Sequence, residues 1–250
     1  MICITYNIHN GGDGQIEAIA RMLASFLPDI LVLQEAKALQ SDLVLLEFSK
    51  QSGLTNVYEA PKDTNGLGTM ILSRYKILQV ENQNSTTHPS PNVVLKSNIG
   101  DISVAGVHLD SSDESVRLGE LSAIIKAQEA SVYRIIMGDF NALSPSDKYN
   151  WDKTSQPVDT TTSFAADKPE FDAIQSVEAA GYKDTAVLMN QNSSPTVPFT
   201  VDGQIRFTDL RLDYTFISES LCKKLTKYYV IDTDQTRKYS DHLPVLVELG

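Results

Sequence analysis

Residues 135–141, Ile135-Ile136-Met137-Gly138-Asp139-Phe140-Asn141, run from three apolar side chains directly into a glycine, a carboxylate and an amide. The same pattern occurs upstream. Ile30-Leu31-Val32-Leu33 leads into Gln34-Glu35, and the stretch 102–107 leads into His108. The run 30–33 is apolar at consecutive positions, so both faces of that strand are covered, as in a sheet buried between layers. Helical spacing fills the intervals. Ile16, Ile19, Ala20 and Leu23 give an apolar face to a helix over 15–26, and Val116, Leu121, Ile124 and Ile125 do the same over 114–130. Strand and helix in alternation define the α/β class.

Outward from these units the alternation continues. Residues 2–6 read as a first strand, with Ile2, Ile4 and Tyr6 on one face, followed by Asn7 and the turn residues Asn10-Gly11-Gly12-Asp13-Gly14. A helix is expected over 39–51, then two or three strands, of which Thr69-Met70-Ile71-Leu72 is the clearest. A helix over 170–180 stops at Gly181, a residue suited to the left-handed position after a helix end. Strands around 211–217, 226–231 and 244–249 close the chain. Between 142 and 169 the sequence is polar with little periodicity, and a stretch of that length inside a compact domain predicts a functional loop. With no repeat, low-complexity segment or second core, residues 1–250 read as one domain.

The chain has 250 residues, 42% of them hydrophobic, enough to bury roughly three-quarters of the surface exposed on unfolding. No run of about 18 apolar residues is present, which excludes a transmembrane helix and stable membrane insertion. The 21 Lys and Arg against 32 Asp and Glu give a net charge of −11. Such a surface repels polyphosphates at long range, which argues against holding duplex DNA by backbone charge alone. It leaves room for a local metal site that recruits one phosphate. Cys3 and Cys222 have no CxxC spacing and read as small core residues. The amino-terminal residues carry no export-signal pattern, so a cytoplasmic setting is the expectation.

The chemical signal lies in the polar residues at the ends of the apolar runs. Asn7, Glu35, His108, Asp139, Asn141, Asp213, Asp241 and His242 all lie at or beside strand ends. In α/β sheets, ligand sites form in the crevice beyond those ends. Taken singly, each residue has an ordinary structural reading, such as a turn former, a solvated strand end or a core histidine. Together they make an oxygen-rich pocket with imidazoles at its rim, and oxygen ligands suit a hard ion, Mg²⁺ in particular.

Seven motifs occur in order: Thr5-Tyr6-Asn7-Ile8-His9, Leu33-Gln34-Glu35, Gly68-Thr69-Met70-Ile71-Leu72-Ser73-Arg74, Val107-His108-Leu109, Gly138-Asp139-Phe140-Asn141, Arg211-Leu212-Asp213-Tyr214 and Ser240-Asp241-His242-Leu243-Pro244. Together they resemble the ordered motifs of the endonuclease/exonuclease/phosphatase superfamily, over residues 5–247. The resemblance implies the DNase I-like fold, a four-layer α/β sandwich of two packed mixed sheets flanked by helices. It implies Glu35 as the principal Mg²⁺ ligand (Mn²⁺ an alternative), with Asn7 and Asp241 close by as metal ligands or through water. Asp139 would orient or deprotonate the attacking water, and Asn141 would hydrogen-bond a phosphate oxygen. His242, held by Asp213, would contact the scissile phosphate. His108 matches the histidine of the DNase, sphingomyelinase and phosphatase branches. Its acidic partner has no clear counterpart in Asp63-Thr64-Asn65-Gly66-Leu67-Gly68, so His108 reads more as an oxyanion donor than as a general acid.

The leading expectation is thus a Mg²⁺-dependent phosphoesterase cleaving a phosphodiester, with nucleic acid as substrate and partner. The alternative is a phosphatase or phospholipase C-like enzyme acting on inositol phosphates or sphingomyelin-type lipids. A non-catalytic binding module ranks last, because none of the expected site residues is missing. Trp151 and Phe164 could stack on a base or anchor their loop. Trp151 and Pro198-Phe199 are the only candidates for a lipid contact. His9 and His88 read as turn and surface-loop residues, and Arg117 as half of a structural ion pair.

Overall fold

The computed structural model describes residues 1–62, 66–82, 89–149, 169–198, 200–201, 204–205 and 209–250. The first half contains β1 (Ile2–Asn7), the left-handed turn α1 (His9–Gly12), α2 (Ile16–Ser25), β2 (Ile30–Lys37), α3 (Leu43–Ser52), β3 (Asn56–Glu59) and β4 (Leu67–Ser73). Next come β5 (Lys76–Asn82), β6 (Pro91–Ser97), β7 (Gly100–His108), α4 (Glu114–Gln128) and β8 (Tyr133–Asp139). After a helix at Asp172–Ala179 come β9 (Tyr182–Asp184), the short hairpin β10 (Thr200–Val201) and β11 (Gln204–Ile205), β12 (Asp213–Ser218), β13 (Leu225–Val230) and β14 (Val245–Leu249). One six-stranded sheet has the order β13-β14-β1-β2-β4-β3 and the other β5-β6-β7-β8-β12-β9. Both are mixed, each holding one parallel pair within antiparallel neighbours.

Alternation along the strands explains the layers. In β2, Ile30 and Val32 point into the space between the sheets, where they meet Val93, Ile102, Val104, Ile135 and Met137 of the other sheet. Leu31 and Leu33 point the opposite way, onto Ile19 and Leu23 of α2 and Leu45 and Phe48 of α3. This is why the run 30–33 is apolar throughout. In the second sheet, Ala105, Val107 and Ile136 pack outward on Leu121 and Ile124 of α4 and Val177 of the helix Asp172–Ala179. Helix, sheet, sheet, helix is the expected four-layer sandwich, and each fully buried Ile or Leu contributes about 1.5–3 kcal/mol to it.

The parallel pairs position the site. β1 pairs with β2 (Asn7 opposite Gln34), and β7 with β8 (His108 opposite Asp139). Parallel strands need a crossover, supplied by α2 and α4. Each crossover delivers two strands that end on the same edge, so the polar residues after the apolar runs gather there.

Two details differ from the sequence reading. The helix expected over 39–51 is split into a 3-10 turn, Leu39–Ser41, and α3, because Asp42 accepts from Val44 N–H (3.1 Å) and Leu45 N–H (3.0 Å) and so caps a new helix. The polar segment starting at 142 begins as packed structure: Ala142, Leu143 and Ser144 are buried, and Tyr149 stacks on Phe171. Residues 150–168, with Trp151 and Phe164, lie outside the described residues, as do His88, Phe199 and the Asp63-Thr64-Asn65 stretch. Pro198 is buried. Cys3 is a core residue as expected and Cys222 is partly buried; both thiols are free. Arg117 is buried and donates to Glu114 Oε2 (2.6 Å) and to the Asp110 carbonyl (2.7 Å), a structural pair. Among the described residues no helix is long and apolar enough to cross a membrane.

Candidate active site

Two backbone devices aim the first acidic groups. Between Leu33 and Ala36 the pairing of β2 with β4 shifts register, and Glu35 in that bulge adopts φ +55°. A positive φ in a non-glycine residue is costly and marks a position held by its surroundings. Here the hold comes from its carboxylate, where Oε1 accepts from Asn7 Nδ2 (3.1 Å) and Oε2 from the Asn10 N–H (2.8 Å) of the left-handed turn. Gly138 has φ +148° and lies so close to β7 that a Cβ would stand 2.0 Å from the Val107 carbonyl oxygen. That approach sets Asp139 beside His108.

Asp139 is the hub. Its Oδ1 accepts the Asn141 N–H (2.9 Å), an Asx turn that also gives Asn141 its φ of +46°. Its Oδ2 accepts from Asn7 Nδ2 (3.1 Å), a hydrogen bond that joins the two sheets. The same oxygen lies 3.6 Å from His242 Nε2 and 3.7 Å from His108 Nε2. β12 pairs with β8 so that Asp213 is directly opposite Asp139, and Asp213 Oδ2 accepts from His242 Nδ1 (2.8 Å). The Asn141 side chain donates to the Leu109 carbonyl (3.0 Å). Ser240 fixes the last segment, donating to the Asn7 carbonyl (2.8 Å) and accepting the His242 N–H (3.1 Å).

The electrostatics derive from these neighbours. Burial works against an imidazolium at His242, yet the carboxylates of Asp213, Asp139 and Asp241 outweigh it and hold its pKa well above the ordinary histidine value. Burial raises the pKa of Asp213, with His242 opposing that rise. Burial also opposes ionisation of Asp241, but the hydrogen bond from His9 and the charges of His242 and His9 hold its carboxyl well below the usual range.

All eight residues singled out from the sequence stand in or beside this cluster, linked through Asn7, Asp139 and His242. Sequence reasoning missed His9: the left-handed turn swings its Nδ1 to 3.2 Å from Asp241 Oδ1, and hydrogen bonding to Asp241 raises its pKa. Its place within Thr5-Tyr6-Asn7-Ile8-His9 was the available signal. Among the described residues, one group of carboxylate and imidazole ligand atoms lies close together. Asp139, Asp213 and His242 offer one atom each within 4.8 Å of one another, but the imidazole Nδ1 is already bonded to Asp213. Glu35, Asp241 and Asn7 offer oxygens only.

A four-layer sandwich with carboxylates, amides and imidazoles interlocked at its strand ends is suited to hydrolysis of phosphate esters. A family model described as the Endonuclease/Exonuclease/phosphatase family matches residues 4–242, and the chain belongs to that family. Its members are hydrolases that typically depend on a divalent metal. No curated protein sequence matches the chain. Among solved structures, it is similar to the 3′ phosphatase NExo from Neisseria bound to product DNA hairpin (TM-score 0.78, 19% identity, covering 100% of this chain and 99% of that one). It is also similar to an AP endonuclease from Archaeoglobus fulgidus (TM-score 0.72, 18% identity, 100% and 99% covered). A third is D. rerio TDP2 complexed with single strand DNA product (TM-score 0.69, 14% identity, 100% and 98% covered). At these identities the likeness is one of fold.

Proposed function

We propose that the protein is a Mg²⁺-dependent phosphoesterase that hydrolyses phosphodiesters of nucleic acid. The observation that carries this reading is the surroundings of Asp139 Oδ2: three nitrogen-bearing side chains, Asn7 of β1, His108 of β7 and His242 of the loop ahead of β14, converge on one carboxylate oxygen. A carboxylate that can hold a water, ringed by groups that can face phosphoryl oxygens, is the arrangement in-line hydrolysis requires.

The residues fit a hard divalent ion. Glu35 and Asp241 bring carboxylate oxygens whose partners among the described residues are amide N–H groups, the Ser240 hydroxyl and the His9 imidazole, and Asn7 adds an amide between Glu35 and Asp139. The trio of Asp139, Asp213 and His242 fits less well, because an imidazolium repels a cation. In our reading Glu35, Asn7 and Asp241 hold Mg²⁺, with Mn²⁺ as a substitute. Bound there, the ion would supply charge neutralisation at the phosphate.

Asp139 orients the attacking water and takes its proton. His242, kept cationic and oriented by Asp213, donates to a non-bridging phosphate oxygen, and His108 donates to the same developing charge. Asn141 offers its remaining amide hydrogen to a phosphate oxygen. Nucleic acid is favoured as the substrate by the DNA in two of the similar structures. The named 3′ phosphatase among them supports a second reading, a terminal phosphate monoester. Hydrolysis of bis-p-nitrophenyl phosphate and p-nitrophenyl phosphate with Mg²⁺, wild type against Asp139→Ala, tests the proposal. Diester cleavage lost in the variant supports it, monoester preference selects the second reading, and equal rates in both proteins reject the role of Asp139.

A further inference from the structure

Asp213 opens β12 in one sheet, whereas His242 lies in the loop that leads into β14 of the other, so their 2.8 Å hydrogen bond ties the two sheets. One residue outside every motif above ties both backbones together. Thr196 is fully buried in the connection ahead of β10. Its Oγ1 accepts from the N–H groups of Leu212 and Asp213, at 3.0 Å each. Its carbonyl accepts the Leu243 N–H (2.7 Å), and its own N–H donates to the Leu210 carbonyl (2.9 Å). Thr196 thus grips Asp213 from its hydroxyl and the residue after His242 from its carbonyl.

We propose that Thr196 is a positioning residue for the Asp213–His242 pair, its side chain fixing the start of β12 at hydrogen-bonding distance from His242. The proposal rests on the phosphoesterase reading. Two buried amides share one hydroxyl oxygen, and each needs a partner in a dry interior. A valine there keeps the volume but leaves both N–H groups unpaired. The start of β12 then shifts to find other acceptors, and Asp213 moves with it. Serine keeps the oxygen and restores the geometry. By analogy with the outer hydrogen bonds that orient metal-ligating histidines, the expected loss of activity is about 10- to 100-fold.

The experiment compares wild type, Thr196→Val, Thr196→Ser and Asp213→Asn on bis-p-nitrophenyl phosphate with Mg²⁺, together with the downfield proton NMR signal of the His242 Nδ1–H, assigned with His242→Asn. The expected result is a kcat loss of about 10- to 100-fold in Thr196→Val with KM little changed, a displaced or broadened signal, and recovery of both in Thr196→Ser. Thr196→Ala, which leaves room for a water, carries the same comparison where the valine variant fails to fold. A folded variant lacking the hydroxyl, with wild-type kcat and an unmoved signal, overturns the proposal. Full activity in Asp213→Asn overturns the reading of the pair instead, and the NMR signal still reports whether Thr196 positions His242.

Discussion

Nδ1 of His242 and Oδ2 of Asp213 stand 2.8 Å apart, with Asp213 completely buried and the other ring nitrogen, Nε2, 3.6 Å from Asp139 Oδ2. A buried carboxylate bonded to one ring nitrogen fixes the tautomer and leaves the other nitrogen for the substrate. Asp213→Asn keeps the shape but removes the charge that favours the imidazolium. Turnover on a diester is expected to fall about 10²- to 10⁴-fold, with the far-UV circular dichroism spectrum unchanged. Wild-type turnover would remove Asp213 from the mechanism.

The same pair predicts a pH dependence in the metal-free protein. The folded His242 pKa lies above that of an unfolded histidine, about 6.5. A raised pKa stabilises the fold fully below the unfolded value, and this is lost as the pH climbs through the folded value. The melting temperature of wild type should therefore exceed that of His242→Asn by most near pH 6 and by progressively less in alkaline solution. A gap that stays constant from about pH 6 to pH 10 would show that the imidazolium adds no stability.

Much of this was legible in the sequence because period-2 burial leaves a trace in side-chain type. The run Ile30 to Leu33 announces a doubly covered strand, and the polar residues after it announce a sheet edge. The connection from Asn7 to Asp139 was not legible, since it crosses between sheets and depends on how they pack. His9 looked like a turn residue, and it is one, but its φ of +51° also carries the ring to Asp241. Thr196 left no trace, because a threonine satisfying buried amides has the same letter as one facing water. The split at Asp42 was hidden because apolar spacing on both sides continues through the cap.

Metal binding gives a prediction independent of turnover. If Glu35, Asn7 and Asp241 hold the ion, adding Mg²⁺ should raise the melting temperature, by about 2.7 kcal/mol of stability at a hundredfold excess over Kd. Glu35→Gln keeps an oxygen for the Asn10 N–H but loses the charge and sets an NH2 group against Asn7 Nδ2, so the Mg²⁺-induced shift should disappear and the metal-free protein should lose about 1–3 kcal/mol. Differential scanning fluorimetry with and without Mg²⁺ measures both. An undiminished shift in Glu35→Gln would place the ion elsewhere, with Asp139, Asp213 and His242 the next set to test.

The close approach at Gly138 predicts a coupling between stability and activity. An alanine Cβ would lie 2.0 Å from the Val107 carbonyl oxygen, and φ +148° is accessible in practice only to glycine. Because the obstacle is backbone within the β7–β8 pair, relief requires the two strands to part, at a cost of about 3 kcal/mol. That movement also separates His108 from Asp139, so Gly138→Ala should lose turnover even at temperatures where it remains folded. Gly119, on α4 with nothing within 4 Å of its Cβ position, is the control: Gly119→Ala should gain about 0.5–1 kcal/mol and keep full turnover. Urea unfolding and diester hydrolysis on the two variants separate the effects. A Gly138→Ala protein as stable and active as wild type would mean that the strands carrying His108 and Asp139 tolerate separation, and the tight pairing would cease to be a requirement of the site.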